Sequence, residues 1–418
     1  MNQLQFSAIL DVLASTLSFT SPADGVISRH FRDNRNLGSH DRHFVAETVF
    51  GILRHLPQIE WLVGEMPNPR QILLAWYVGI EKRNLRELPP IFSEDDRKYA
   101  STLKAKSLKD APLAVRAALP QWVADSLLAS GTSEEELLAL GRSLLLSAPL
   151  DLRVNTLKAR DRDEIIDRLS AAGVDAEPTP LSPWGLRVVG KPPINKTKVF
   201  EEGVIEVQDE GSQLLGLLAN PKRGQMVTDF CAGAGGKTML LGAMMQSSGR
   251  LYAFDVSEKR LANLKPRLAR SGLSNVQPQL IASENDQKIK RLAGKMDVVL
   301  VDAPCSGLGT LRRNPDLKYR QTAAGVAELN IKQASILASA SRLTKSGGRL
   351  VYATCSLLHE ENEAIVDAFL AAHPEFSLCD AREQMPENIA TLLEGPYLKL
   401  SPQKHGTDGF FAALLTLK

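Results

Sequence analysis

Asp229-Phe-Cys-Ala-Gly-Ala-Gly-Gly-Lys-Thr238 is the stretch on which the reading of this chain turns. It follows a short apolar run beginning at Met226 and leads into helically spaced residues from Lys237 to Gln246, which makes it a strand-to-helix turn. Its three glycines let a ligand come close to the backbone. Two familiar ligand loops fail here on spacing. A phosphate-binding loop ending at Gly236-Lys237-Thr238 requires glycine where Cys231 stands, and a dinucleotide fingerprint starting at Gly233 and Gly235 requires one where Thr238 stands.

A looser turn of this kind suits S-adenosylmethionine, whose ribose diol calls for a carboxylate at the end of the next strand. Asp255, in Ala253-Phe-Asp-Val-Ser257, stands 20 residues after Gly235. Outward from the turn, short apolar strands alternate with helices. Strands are predicted at Met226 to Asp229, Arg250 to Phe254, Val276 to Ile281, Val298 to Val301 and Leu350 to Ala353. Helices are predicted over Lys237 to Gln246, Glu258 to Ser271, Val326 to Leu343 and Glu360 to Ala372. This is the signature of an α/β fold with a doubly wound parallel sheet, in which ligands bind beyond the carboxyl ends of the strands.

Upstream the texture differs. From Leu4 to about Gly141 apolar residues recur at three and four, as in Phe44, Val45, Thr48, Val49, Ile52 and Leu53, and Gly131-Thr-Ser-Glu-Glu-Glu136 reads as a loop entering an N-capped helix. After Pro149, Leu150-Asp-Leu-Arg-Val-Asn-Thr-Leu157 alternates like a strand, Asp163 to Ala172 is helical, and Gly185-Leu-Arg-Val-Val189 returns to strand. The expected organisation is a helical accessory domain over 1–141, a small α+β module over 142–207, and the doubly wound domain over 208–418.

Composition narrows the context. The 418 residues are 44% hydrophobic and 23% charged, with no apolar run long enough to span a bilayer. Met1-Asn-Gln-Leu-Gln-Phe6 lacks the basic region and apolar core of a secretory signal, so none is expected, and four cysteines in this length suit free thiols in a reducing cytoplasm. The net charge of +2 announces no nucleic acid by itself, but Arg29, Arg32, Arg35, Arg42 and Arg54 cluster with four of the seven histidines between Ser28 and His55. That cluster is either a phosphate-binding surface or a solvated helical face. His40 and His43 lack companion ligands, so no metal is expected.

Chemistry concentrates in two further motifs. Asp302-Ala-Pro-Cys-Ser-Gly307 ends one strand and Tyr352-Ala-Thr-Cys-Ser356 ends another, which brings two thiols and a carboxylate to the ligand-binding edge. Ser356 is expected to cap the helix from Glu360, whose positive end would favour the Cys355 thiolate. Such a set fits methylation at cytosine C5: thiolate addition at C6 turns C5 into a nucleophile, and Asp302 can meet the charge that develops toward N3. Arg312, Arg313, Lys318 and Arg320 follow the first motif on what reads as a loop over the site, placed to grip target phosphates or simply solvated. Cys379, outside every motif, reads as packing.

These segments, with Glu360-Glu361-Asn362, the closing His405-Gly-Thr-Asp-Gly-Phe-Phe411, Arg153-Val-Asn-Thr-Leu-Lys158 and Gln208-Asp-Glu-Gly-Ser212, resemble the Sun/Fmu (RsmB-like) RNA cytosine-C5 methyltransferases in order and spacing from Arg153 to Lys418. The resemblance implies a class I S-adenosylmethionine methyltransferase domain, with Cys355 as nucleophile and Cys305 aiding release of the methylated product; spacing alone allows the reverse. It implies donor binding by Cys231, Ala232, Gly233, Ala234, Gly235, Gly236, Lys237, Asp255 and Asp302. The adenine side is expected at Ser283 or Glu284, where the family commonly has aspartate. The family loop usually reads Ala-Pro where this chain has Gly233-Ala234. The implied partner is ribosomal RNA, and the chain is expected to act as a cytoplasmic monomer. Alternatives are a transfer-RNA or DNA cytosine methyltransferase, and a non-catalytic RNA-binding factor, against which the retained cysteines and Asp302 argue.

Overall fold

The computed structural model describes residues 1–64 and 67–418, which form two compact units: Met1–Ser147 with Thr310–Gly325, and Ala148–Gly309 with Val326–Lys418. The first unit is helical. Gln3–Thr16, Ser39–Arg54 and Leu56–Val63 are among its helices, and they close on Ile9, Leu13, Val49, Ile52, Leu53 and Ile59, all without solvent contact. The predicted capped helix is Glu134–Leu144. Ser133 Oγ accepts from Glu136 N at 3.2 Å and the Glu136 carboxylate accepts from Ser133 N at 3.1 Å, so two donors that a helix start leaves open are satisfied reciprocally.

Residues 310–325, which sit inside the α/β sequence, cluster with these helices, and this corrects the reading of their charges. Lys318 is 2% exposed and its Nζ donates to the Arg54 carbonyl at 2.7 Å; Arg54, itself buried, donates through Nη2 to the Arg312 carbonyl at 3.0 Å. Tyr319 stacks on Phe19 with ring centroids 4.6 Å apart. Lys318, Arg312 and Arg54 are therefore interior groups, Lys318 and Arg54 satisfying backbone carbonyls, and cannot grip phosphate. Arg29, Arg32, Arg35 and Arg320 do face solvent.

The second unit contains two sheets. In the smaller one, β1 (Leu150–Val154), β2 (Ala176–Pro178), β3 (Gly185–Val188) and β4 (Ile205–Val207) run antiparallel in the order β2-β3-β1-β4, with the helix Arg162–Ala171 supplying Ile165 and Leu169 to the core. The larger sheet is built on β5 (Met226–Asp229), β6 (Arg250–Asp255), β7 (Val276–Leu280), β8 (Met296–Asp302) and β9 (Thr344–Thr354), all parallel. Central strands such as Val298-Val-Leu-Val301 are apolar on both faces because helices cover both sides.

In the larger sheet three strands lie beyond those predicted: β10 (Phe376–Cys379), β11 (Leu398–Leu400) and β12 (Phe410–Leu417). β12 runs antiparallel beside β9, giving the order β10-β12-β9-β8-β5-β6-β7, so the doubly wound sheet is mixed rather than wholly parallel. Its order reverses between β5 and β8, and a crevice opens beyond their carboxyl ends. Cys379 packs half-buried at the sheet's end, its sulfur 3.0 Å from Thr416 Oγ1.

Candidate active site

The cofactor turn is positioned by residues on both sides of it. Gly235, at φ 84°, takes a conformation that favours glycine and begins the helix Gly236–Met244; a side chain there would collide with Leu264. Gly235 thus serves packing and does not line the cavity, contrary to its expected role. Gly233, at φ 55°, has open space where a side chain would stand. Two guanidinium groups hold the turn by its carbonyls. Buried Arg153 donates to Gly236 O at 3.0 Å and to the Gln208 side chain, and Arg267 donates to Ala234 O at 2.7 Å. Glu206 on β4 pairs with Arg267 at 3.0 Å and with Arg270, so the small sheet fixes the angle at which Arg267 reaches the loop. Asn155 adds bonds to the Gly203 and Ser271 carbonyls at 2.9 and 3.0 Å.

A cavity of about 770 Å³ lies over this turn and the ends of β5, β6, β8 and β9. Of the predicted residues, Cys231, Ala232, Gly233, Ala234, Gly236, Lys237, Asp255, Glu284, Asp302, Cys305 and Cys355 line it. Ser283 does not; its hydroxyl is turned back to accept from Asn285 N at 3.2 Å. Glu284 is held by Ser335 Oγ at 2.7 Å, a bond that draws its carboxyl below the ordinary range. Asp255 accepts from Gly233 N at 2.8 Å and Ser257 N at 2.7 Å, which ties the carboxylate to the loop it is expected to complement. Sequence reading missed Gln208, Arg260, Arg267, Lys332 and Ile336 in the lining. Gln208 belonged to a quoted motif, but nothing local marks the others.

Lys237 is the link between the turn and the reacting end. Its ammonium donates to Asp302 at 2.7 Å and lies over the Phe410 ring at 5.7 Å. Burial alone would pull its pKa down, but the charge and hydrogen bond of Asp302, with Cys355 and Asp229 nearby, raise it overall. Beneath, Asp229 accepts from Thr238 Oγ1 at 2.7 Å; burial pushes its carboxyl up to about 7 against that bond. Burial and the surrounding carboxylates push the Cys231 thiol up as well, which keeps it inert.

Cys305 and Cys355 meet with their sulfurs 3.4 Å apart. The thiol–thiol contact, burial, and the charges of Cys355 and Glu361 raise the Cys305 pKa well above its ordinary value, so its hydrogen stays on. Gly309 N donates to Cys355 O at 2.8 Å and Gly409 N donates to Gly309 O at 2.8 Å, an approach so close that a side chain at either glycine would collide. The closing Gly-Phe-Phe motif thereby supports the cysteine loop. The expected cap by Ser356 is not formed. A 3₁₀ turn, His359–Glu361, intervenes, the helix starts at Glu363, and Ser356 Oγ donates to Glu361 instead.

A doubly wound sheet with a donor-sized cavity over its switch point and an acid at the end of the second strand defines the class: this is a methyltransferase of the S-adenosylmethionine-dependent fold. Residues 216–416 match the family described as 16S rRNA methyltransferase RsmB/F, and residues 119–195 match its ferredoxin-like domain. A probable ribosomal RNA small subunit methyltransferase B of Synechocystis is 30% identical over 99% of this chain and 98% of its own. Among solved structures, PH0851 superposes with a TM-score of 0.79 at 26% identity, covering 98% of this chain and 97% of that one. A methyltransferase homolog from Pyrococcus horikoshii gives 0.58 at 29% identity over 72% of this chain and all of its own. The chain belongs to the RsmB/F family of ribosomal RNA small subunit methyltransferases. Among the described residues no helix is long and apolar enough to cross a membrane, and no group of three His, Cys, Asp or Glu is placed to hold a metal.

Proposed function

We propose that the chain methylates C5 of a cytosine in ribosomal RNA, with S-adenosylmethionine as donor and Cys355 as covalent nucleophile. The observation that carries this reading is the pair of sulfurs 3.4 Å apart at the ends of β8 and β9, opening into the same cavity as Asp302 and the glycine turn. The lining fits the donor: Gly233 leaves room for it, Asp255 offers a carboxylate to a ribose, and Val256, Ile281 and Ile336 give apolar walls, with Glu284 at the adenine side. S-adenosylmethionine, when bound, supplies an electrophilic methyl group.

The protein's own residues must make the base reactive. The Cys355 thiolate adds to C6, and the C5–C6 electron pair becomes available at C5 while charge grows toward N3. Asp302, bonded to the Lys237 ammonium at 2.7 Å, meets that charge by relaying a proton from Lys237 to N3 and returning it when the ring is restored, and the fixed geometry costs no reorganisation at the moment of reaction. The cycle closes when solvent water reaching the cavity takes the C5 proton as base, the C5–H pair returns to the ring as the C5–C6 double bond and the C6–S bond breaks, its electron pair leaving on sulfur. Cys305, which keeps its hydrogen, lies 3.4 Å from the departing sulfur and is placed to donate to it. Since C6 is covered inside a stacked helix, the target base must be unpaired or turned out of its stack.

The test is methyl transfer from labelled S-adenosylmethionine to small-subunit ribosomal RNA, transfer RNA and duplex DNA offered separately, with bisulfite sequencing of RNA from a strain lacking the protein. Label on the C5 of one ribosomal cytosine, absent in the deletion strain, is expected. Label confined to transfer RNA or DNA, or on another atom, overturns the reading.

A further inference from the structure

We propose that Glu361 is a positioning residue that locks the two cysteine loops together and assigns different roles to their thiols. The inference rests on the function proposed above and deepens it. Glu361 has no solvent exposure. Its Oε1 accepts from Ser306 N at 2.8 Å and Gln333 Nε2 at 3.0 Å; its Oε2 accepts from Ser306 Oγ at 2.5 Å and from Ser356 Oγ. Ser306 and Ser356 are the residues that directly follow Cys305 and Cys355. One carboxylate is therefore bonded to the immediate neighbour of each thiol.

The surrounding bonds extend the clamp. Gln333 also donates to Pro304 O at 3.0 Å, on the other side of Cys305. Tyr352 donates to the Glu361 carbonyl at 2.7 Å. Asn362 accepts from Thr354 Oγ1 at 2.5 Å and donates to Ser356 O at 3.2 Å, so it brackets Cys355 from both sides. This explains why Glu361-Asn362 accompanies the Thr-Cys motif.

The clamp is unequal in a way that matters chemically. Cys305's neighbour gives Glu361 two bonds, one of them from the backbone, whereas Cys355's neighbour gives one. Burying a carboxylate is costly unless its bonds return that cost, and a neutral acceptor would tie two loops without it. What the charge adds, beside the contact with Cys355 and the burial that chiefly hold the Cys305 hydrogen in place, is repulsion of a thiolate at Cys305, which leaves Cys355 to act as the nucleophile.

Glu361→Gln separates the two effects. The amide oxygen can keep the bonds to Ser306 N and Gln333, and the amide NH₂ can donate to the two serine hydroxyls, which accept as readily as they donate. The loops stay joined while the charge is gone. Alkylation of the full chain by iodoacetamide, followed residue by residue by mass spectrometry from pH 6 to 10, is the readout. In the native protein Cys305 is expected to react only well above the pH at which an ordinary thiol does. In Glu361→Gln the Cys305 profile is expected to move acidward by at least one pH unit, about tenfold in rate at fixed pH. Glu361→Ala, which also frees the loops, is expected to lower kcat at least 100-fold while KM for S-adenosylmethionine changes less than threefold.

An unmoved Cys305 profile in Glu361→Gln overturns the proposal, as does a Glu361→Ala enzyme with native kcat. If Glu361→Ala does not fold, the Glu361→Gln profile decides alone. Because alkylation needs neither RNA nor donor, its outcome is independent of the proposed reaction, which fails separately if Cys355→Ala retains methyl transfer.

Discussion

Lys318→Met is the substitution whose outcome the structure predicts most quantitatively. Lys318 Nζ is sealed in the helical unit with the Arg54 carbonyl as its bonded partner, and burial, with the Arg54 charge adding to it, lowers its pKa from 10.5 to about 7. Between those values the unfolded chain carries a proton on Lys318 that the folded protein does not. Stability therefore rises as pH increases from 7 to about 10.5, and the penalty is fully present below pH 7, where both states are protonated. At about 1.4 kcal/mol per pH unit the gap bounds the penalty at about 5 kcal/mol; loss of the bond to Arg54 O, worth about 1–3 kcal/mol, offsets part of the gain. Methionine fills similar volume without a charge. The variant is expected to be more stable than the native protein by about 2–3 kcal/mol at pH 7, with the difference vanishing near pH 9 and reversing by pH 10, where only the lost bond remains. Urea unfolding at pH 7, 8, 9 and 10, followed by tryptophan fluorescence, measures it, since Trp61, Trp76 and Trp122 all lie in this unit. A variant that is less stable at pH 7, or a difference that does not change with pH, refutes the reasoning. A loss of RNA affinity with unchanged stability would restore the phosphate-gripping role that burial rules out.

Other consequences follow from the same geometry. Arg267→Met removes the hydrogen bond on Ala234 O and is expected to raise KM for S-adenosylmethionine about tenfold with kcat changed less, as steady-state kinetics would show. Glu206→Gln, which leaves Arg267 unsupported, is expected to produce a smaller change in the same direction. Gly309→Ala places a methyl group against the Gly409 and Cys355 carbonyls, and a loss of kcat of at least 100-fold with retained donor binding by calorimetry is expected.

Much of this architecture was legible because buried parallel strands are continuous apolar runs bounded by turns: β5 and the helix Glu258–Ser271 fall where the pattern put them. β12 was not, because Phe410-Phe-Ala-Ala-Leu-Leu-Thr-Leu417 is apolar except for Thr416 and its period does not separate strand from helix. The glycine turn, Asp255, Asp302 and both cysteines converge because each ends a strand of one sheet. What could not be read are the long-range partners. Lys318 looks like a surface charge until Arg54, 264 residues away in sequence, supplies its carbonyl. Arg153 and Arg267 become parts of the cofactor turn only when the small sheet packs beside it. Ser356 had the composition of a cap, but the carboxylate it meets stands five residues on in a 3₁₀ turn.

The central claim is that Cys355 forms the bond to the base. Incubating Cys305→Ala with small-subunit ribosomal RNA and S-adenosylmethionine, resolving the mixture under denaturing conditions and sequencing the RNA-linked peptide tests it directly. The account predicts an accumulated covalent adduct attached at Cys355, absent when Cys355→Ala is added. An adduct that survives Cys355→Ala, or a Cys355→Ala enzyme that still methylates RNA, contradicts it.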